Sequence, residues 1–462
     1  MPRPLSLTSP LIQLVSRLHF YIGLLVGPFI LVAALSGLAY VASPALETWV
    51  YQDMLQGTEH GDAQRLSAQI AAAQQHLDTT APPDAVRPAP KPGDTTRVMF
   101  SAPWLGPSQH NAVFVDPVTL DVTGQTTVYG TSGVLPLRTQ IDLLHRQLLL
   151  GNAGRLYSEL AASWLWVMAL GGMALWLSRR RALRQTRGPR RLAHHHAVLG
   201  SVLTLGLLLF SATGLTWSQW AGGNIAELRH AWGWNTPGVT TDLNTSNDTH
   251  HAEHADHQPS GTPSSAPTLP LADYDRALQS ARHAGLEAER LQLTPPSAPQ
   301  QAWRVAEIDR RWPTQVDQVA LHPHSMAVID QTDFATFPLA AKLTRWGIDL
   351  HMGVLFGVVN QLVLGLIASG IIVLIVWGYT LWWRRIRSTT AQHFPLLAEP
   401  WHLLPLRAKC GLAVIAVALG VALPVLGVSL AALVVVDALR WYAKQRRTAR
   451  HPDTHPPIHG GH

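Results

Sequence analysis

The sequence predicts a membrane all-α helical bundle of about four core spans plus a C-terminal helix or hairpin, with two α+β domains outside the membrane. Three observations predict it. Apolar residues make up 47% of the 462 residues and charged ones only 14%. The apolar residues gather in runs of about 20, the length that crosses a hydrocarbon core. Two segments occur twice, and each copy carries a histidine at the same place.

The elements follow in order. Residues 1–42 are a cytoplasmic start and the first span, apolar from 19 to 42. Tyr40-Val41-Ala42-Ser43 resembles a cleavage site, but the run is too long for a signal peptide and matches an internal span, so it is read as retained. Residues 43–137 form the first outer domain. Leu66, Ile70 and Leu77 lie at helical spacing, a Pro-rich stretch runs from Pro82 to Pro92, strands are expected at 97–101 and 112–115, and Asp116-Pro117 opens a turn. Residues 138–178 are a juxtamembrane helix and the second span, and 179–193 a basic link. Residues 194–221 are the third span. Residues 222–340 are the second outer domain, with a low-complexity linker at 240–270 expected to stay disordered. A helix at 271–284 follows, then strands at 290–293, 301–307, 318–321 and 327–329. Residues 341–384 repeat the juxtamembrane helix and span, and 385–407 are a second link. The run 408–441 is one long tilted helix or a hairpin broken at Pro424 and Gly427. The basic, His-rich tail at 442–462 favours the hairpin, which returns the C-terminus to the cytoplasm.

Charge orients the bundle. Arg179, Arg180, Arg181, Arg184, Arg187, Arg190 and Arg191 crowd the link after the second span, and Arg384, Arg385 and Arg387 follow the fourth. The positive-inside rule places both links, with Arg3 and Arg17, in the cytoplasm. The long segments then lie outside. The net charge of +6 is this bias, not a nucleic-acid footprint. Trp164, Trp166, Trp217, Trp220, Trp382 and Trp383 fit an interfacial belt.

The duplication carries the functional reading. From His19, glycines lie four and eighteen residues on, at Gly23 and Gly37; from His196 the same steps reach Gly200 and Gly214. Ile141-Asp142-Leu143-Leu144-His145 returns as Ile348-Asp349-Leu350-His351. From each of these histidines a glycine lies six on (Gly151, Gly357), another twenty-seven on (Gly172, Gly378) and a Trp thirty-one on (Trp176, Trp382). Histidines kept in duplicate on apolar helices point to a metal or haem held in pairs. His19 and His196 open outward-going spans, whereas His145 and His351 precede inward-going ones. The pairs therefore lie at two levels, inner and outer. His195 is the fallback for His196. Gly23, Gly27, Gly37, Gly200 and Gly214 have two readings, close helix packing or room for a flat macrocycle. His145 precedes the apolar run by enough to lie on a surface helix.

Other chemistry is excluded or open. Cys410 is the only cysteine, so no intrachain disulfide, covalent c-type haem or iron–sulfur cluster is available. No glycine-rich dinucleotide loop, paired carboxylates or activated nucleophile is present. His250, His251, His254 and His257 in the linker, with His451, His455, His459 and His462 in the tail, are either weak metal-binding tracts or solvated polar segments.

The layout resembles the PepSY-associated transmembrane proteins, also called iron-regulated membrane proteins, some of which are siderophore-linked ferric reductases. The resemblance rests on the Leu18-His19 start and Ser36-Gly37-Leu38 end of the first span. It rests also on Leu144-His145-Arg146 with Gly151-Asn152-Ala153-Gly154-Arg155, on Leu350-His351-Met352 with Phe356-Gly357, and on Trp382-Trp383-Arg384-Arg385. Val113-Phe114-Val115-Asp116-Pro117 resembles the strand-and-turn ending of a PepSY module. It covers residues from about 15 to 387. It implies two b-type haems ligated by His19, His196, His145 and His351 in a bacterial inner membrane. It also implies electron transfer from a cytoplasmic protein or a quinol to a ferric siderophore or other ferric chelate outside. The rival expectations are a membrane anchor that binds a peptidase or another protein, and a metal-chelate permease without haem.

Overall fold

In a computed structural model the structure describes residues 9–184, 191–244, 269–388 and 394–450. The helices are α1 (Pro10–Leu25), α2 (Gly27–Val50), α3 (Gln52–Leu55), α4 (Leu66–His76), α5 (Pro136–Gln147), α6 (Gly151–Arg184) and α7 (Arg191–Thr216). After them come α8 (Trp220–Ala231), α9 (Ala272–His283), α10 (Leu339–His351), α11 (Gly357–Ser388), α12 (Ala398–His402), α13 (Leu406–Ala422) and α14 (Pro424–Arg450). Five helices among the described residues are long and apolar enough to cross a membrane: Gly27–Val50, Gly151–Arg180, Arg191–Thr216, Gly357–Arg387 and Pro424–Arg446. The chain divides into two compact units. One takes in residues 1–35, 146–228 and 366–462, the other 36–145 and 229–365.

The first unit is helical. Its core joins Ile22, Val26 and Ile30 to Trp164, Leu207, Leu215 and Ile371. Outward side chains are apolar too: Leu205 is 80% and Val202 74% exposed, which suits hydrocarbon rather than water. The first apolar run is not one unbroken helix, because Pro28 cannot donate to the Leu24 carbonyl one turn back. The Tyr379 hydroxyl donates to that carbonyl instead, at 2.7 Å. Helices α6 and α7 pack closely, with Ser211 Oγ donating to the Ala162 carbonyl at 2.6 Å.

Two buried carboxylates in this unit serve as helix caps. Glu159 accepts the backbone N–H groups of Trp220 and Ala221 at 3.0 and 2.9 Å, and so caps α8. Asp437 accepts those of Leu397 and Ala398 at 2.9 and 2.8 Å, and so caps α12. Each meets N–H donors that lack a partner within their own helix.

The last apolar run folds as two helices, α13 and α14. Pro424 starts the second, and a Cβ on Gly427 would fall 2.6 Å from the Gly420 Cα, so the arms meet backbone to backbone at the tip. At the other end α14 meets α12, through Lys444 with Glu399 at 2.8 Å and the stacked rings of His402 and Trp441. The hairpin also clasps α1. Glu399 pairs with Arg17 at 2.7 Å, and the Tyr21 hydroxyl donates to the Pro395 carbonyl while accepting from Arg440.

The second unit holds the strands: β1 (Ala85–Arg87), β2 (Thr96–Phe100), β3 (Gln109–Val115), β4 (Val122–Tyr129), β5 (Leu291–Thr294), β6 (Trp303–Glu307), β7 (Gln318–Leu321) and β8 (Val328–Thr332). The expectation of two separate small sheets is revised here. One eight-stranded sheet runs in the order β4-β3-β2-β1-β5-β6-β7-β8, and the copies join where Val86 pairs antiparallel with Leu293. One core serves both, with α4 and α9 over the same face: Ile70, Val98 and Val113 cluster with Tyr274, Leu293 and Trp303. Tyr274 and Trp303 meet edge to face at 4.8 Å, a pair worth about 0.5–1.5 kcal/mol beyond its burial.

The duplication reaches the hairpin turns. Asp116 Oδ1 accepts the N–H groups of Val118 and Thr119, and His322 Nδ1 accepts those of His324 and Ser325. Leu120 and Met326 then take left-handed φ values of 66° and 58° at matching places.

Candidate functional site

The four repeat histidines fall two by two into the two units. His145 and His351 belong to the unit with the sheet, His19 and His196 to the helical one.

In the sheet-bearing unit, α5 and α10 each bring a histidine down from the sheet. Gly151 and Gly357, six residues after each histidine, have φ of 60° and 57°, and a Cβ there would meet no neighbour. The glycines are kept for the left-handed turn before α6 and α11, not for space. On α5, a short helix apart from the apolar α6, His145 packs against Ser36 and Gly37 of α2. Its Nδ1 is 3.0 Å from Ser36 Oγ, and a Cβ on Gly37 would come within 3.3 Å of its Cε1. The His145 and His351 rings face each other at 6.4 Å between centroids, inclined by 49°.

Helix α10 is anchored by Asp349, two residues before His351. This carboxylate is fully buried between Arg310, at 2.5 Å, and Arg345, at 3.0 Å. Asn360 closes the helix end by donating to the Leu350 carbonyl at 2.9 Å. Burial, and then the neighbouring His145, push the His351 imidazole down to about 3. It is therefore neutral at ordinary pH.

In the helical unit, duplicated glycines meet duplicated histidines. A Cβ on Gly172 would stand 3.2 Å from His19 Cε1, and one on Gly378 3.7 Å from His196 Cε1. Each glycine lets a ring reach the backbone one turn earlier, at Met168 for His19 and Leu374 for His196. The two histidines lie within electrostatic reach of each other. Both Nδ1 atoms are buried and make no hydrogen bond of normal geometry. His195 is exposed, its ring 6.1 Å from Trp377. Of the remaining glycines, Gly23 faces Met168, Gly27 faces Tyr379, Gly200 faces Leu374 and Gly214 faces Ala162, all packing contacts between helices.

The spacing of His145 and His351 suits two ligands of one haem iron. Two metal–nitrogen bonds of about 2 Å and the half-widths of two imidazoles add to a little over 6 Å, close to the 6.4 Å between the rings. Ser36 holds Nδ1 of His145, a hydrogen bond of the kind that orients a ligating ring. For the His19–His196 pair the fit rests on the glycine cradles of Gly172 and Gly378. No group of three or more His, Cys, Asp or Glu side chains among the described residues is placed to hold a bare metal ion. The linker histidines His250, His251, His254 and His257, and the tail histidines, lie outside the described residues.

Sequence reasoning passed over Ser36, Arg310 and Arg345 as partners. Asp349 stood inside the repeated Ile-Asp-Leu motif and was the one legible signal. No curated protein matches the chain. The family described as the PepSY-associated TM region matches residues 16–385, most of the chain and all four repeat histidines, and the chain belongs to that family.

Proposed function

We propose that this protein is an inner-membrane electron carrier with two b-type haems. In this reading it reduces a ferric siderophore or other ferric chelate on the outer side and so releases Fe(II). The observation that carries the reading is the His145–His351 pair, two imidazoles whose centroids stand at the spacing of axial ligands. Bound haem would supply one-electron redox chemistry; the chain supplies ligation, position and potential.

The residues divide the work. His145 and His351 would hold the outer group, with Ser36 orienting one ring and Asp349 anchoring the helix of the other. His19 and His196 would hold the inner group against Gly172 and Gly378. The outer pair lies in the same unit as the sheet, so a chelate bound there would meet the outer haem. By the positive-inside rule the Arg-rich links would set His19 and His196 on the donor side. With no nicotinamide or flavin loop in the sequence, the donor is a cytoplasmic protein or a quinol. Reduction weakens the hold of hard oxygen donors on iron, and release follows.

The test is the absorption spectrum of the purified protein with a haem-to-protein ratio. Two haems per chain are expected, one lost in His145→Ala or His351→Ala and the other in His19→Ala or His196→Ala. A colourless protein, or full haem content in all four variants, overturns the reading.

A further inference from the structure

We propose that Arg138, Tyr40 and Arg310 form an anion site that takes a propionate carboxylate of the haem held between His145 and His351. The proposal rests on the haem reading above. All three residues belong to the sheet-bearing unit.

Their placement follows from the helices. Arg138 precedes His145 by seven residues on α5, so it shares its face about 10 Å further along the axis. That distance is comparable to the reach from a porphyrin centre to its propionate carboxylates. Tyr40 follows Ser36 and Gly37, the residues that meet His145, by one turn of α2. The Arg138 Nη2 donates to the Tyr40 hydroxyl at 3.1 Å, and its guanidinium lies 4.8 Å from the centre of the Tyr40 ring. Arg310 is within electrostatic reach of Tyr40 and is held there by Asp349 and Ser132.

Arg138 is left with an open donor. Its side chain is only 13% exposed. Glu47, its ion partner, stands 3.7 Å away, too far for a hydrogen bond, and the other Glu47 oxygen accepts the Leu135 N–H at 2.9 Å. Both Asp349 oxygens serve Arg310 and Arg345. Asp142 is the remaining acid within reach of Tyr40. The Nε of Arg138 is buried and has no acceptor. A guanidinium offers five N–H groups in a planar fork that matches a carboxylate with two parallel bonds. Leaving one of them buried and unmet is costly. A carboxylate brought in by the cofactor answers the open donor.

The test uses the full-length chain carrying His19→Ala, so that only the outer pair loads. The protein is reloaded with haem b or with haem dimethyl ester, which lacks the carboxylates. Loss of each to an excess of a haem-scavenging protein is then timed. The ester is expected to leave at least about tenfold faster than haem b, the size of one charge-assisted bond. Arg138→Leu should lose haem b about tenfold faster and barely distinguish the two; Arg138→Lys should fall between. Equal loss of haem b and ester from the chain with Arg138 intact overturns the proposal, and that comparison stands even if Arg138→Leu does not fold. Unchanged haem loss in Arg138→Leu, with weakened binding of ferric citrate, overturns it too and assigns the site to a substrate carboxylate. No haem band at all with His145 and His351 intact sinks the haem reading itself, and the proposal with it.

Discussion

The duplicated glycines Gly172 and Gly378 should respond differently to the same substitution. Alanine in place of a mid-helix glycine stabilises by about 1 kcal/mol through backbone entropy. At Gly378 the new Cβ would sit 3.7 Å from His196 Cε1, an ordinary contact, so that gain should survive. At Gly172 it would sit 3.2 Å from His19 Cε1, and the ring must retreat by a few tenths of an ångström. Overpacking of that kind costs about 1–3 kcal/mol, which cancels or exceeds the gain. The retreating atom lies between the two ring nitrogens, so the ligand moves with it. If the proposed haems are present, Gly172→Ala should therefore lower the affinity of the one at His19 by roughly fivefold to a hundredfold and leave the one at His145 unchanged. Gly378→Ala should keep both haems and unfold no earlier than the parent. The assay is haem content under limiting haem, with thermal unfolding in detergent. Responses equal in sign and size, or a Gly172→Ala that stabilises, would refute the contact argument.

Ser36→Ala should weaken outer-haem retention by about tenfold, the lower end for loss of an outer hydrogen bond to a ligand, while the inner haem is untouched; difference spectra of the His19→Ala background read this directly. Asp349→Ala leaves Arg310 and Arg345 without their shared carboxylate and should destabilise the sheet-bearing unit by about 3–5 kcal/mol, with Asp349→Asn milder; denaturant unfolding followed by Trp fluorescence measures it. Acid should loosen the first PepSY-like repeat through Asp116. Burial alone would raise its carboxyl, but hydrogen bonds from the Thr58 hydroxyl and from the N–H groups of Val118, Thr58 and Thr119 hold it below the usual carboxylate value. A lowered folded value means that the contribution is complete above the ordinary carboxylate pKa of about 4 and is lost as pH falls through the lowered one. Stability measured from pH 6 downward should flatten in Asp116→Asn relative to the parent, and parallel curves would remove Asp116 from the account.

The parts of this protein legible in its sequence are those written in local pattern. The spans are runs of apolar residues, because hydrocarbon demands length and composition and little else. The pairing of His19 with His196 and of His145 with His351 was legible because the spacing to Gly23, Gly37, Gly172 and their copies is preserved. What spacing could not show is what each glycine touches. Gly172 and Gly378 proved to be seats for histidines, Gly151 and Gly357 turns, and Gly214 a packing contact. Strand β1 lay hidden in the Pro-rich stretch, and β4, with its Thr and Gln, lacked an apolar face. The union of the two repeats in one sheet was also invisible, since it depends on Val86 meeting Leu293, 207 positions further along the sequence. The depth of His145 likewise depends on α5 folding back along α2 to Ser36. Long-range pairing is chosen by the burial of whole faces against one another, and no window of neighbouring residues contains that information.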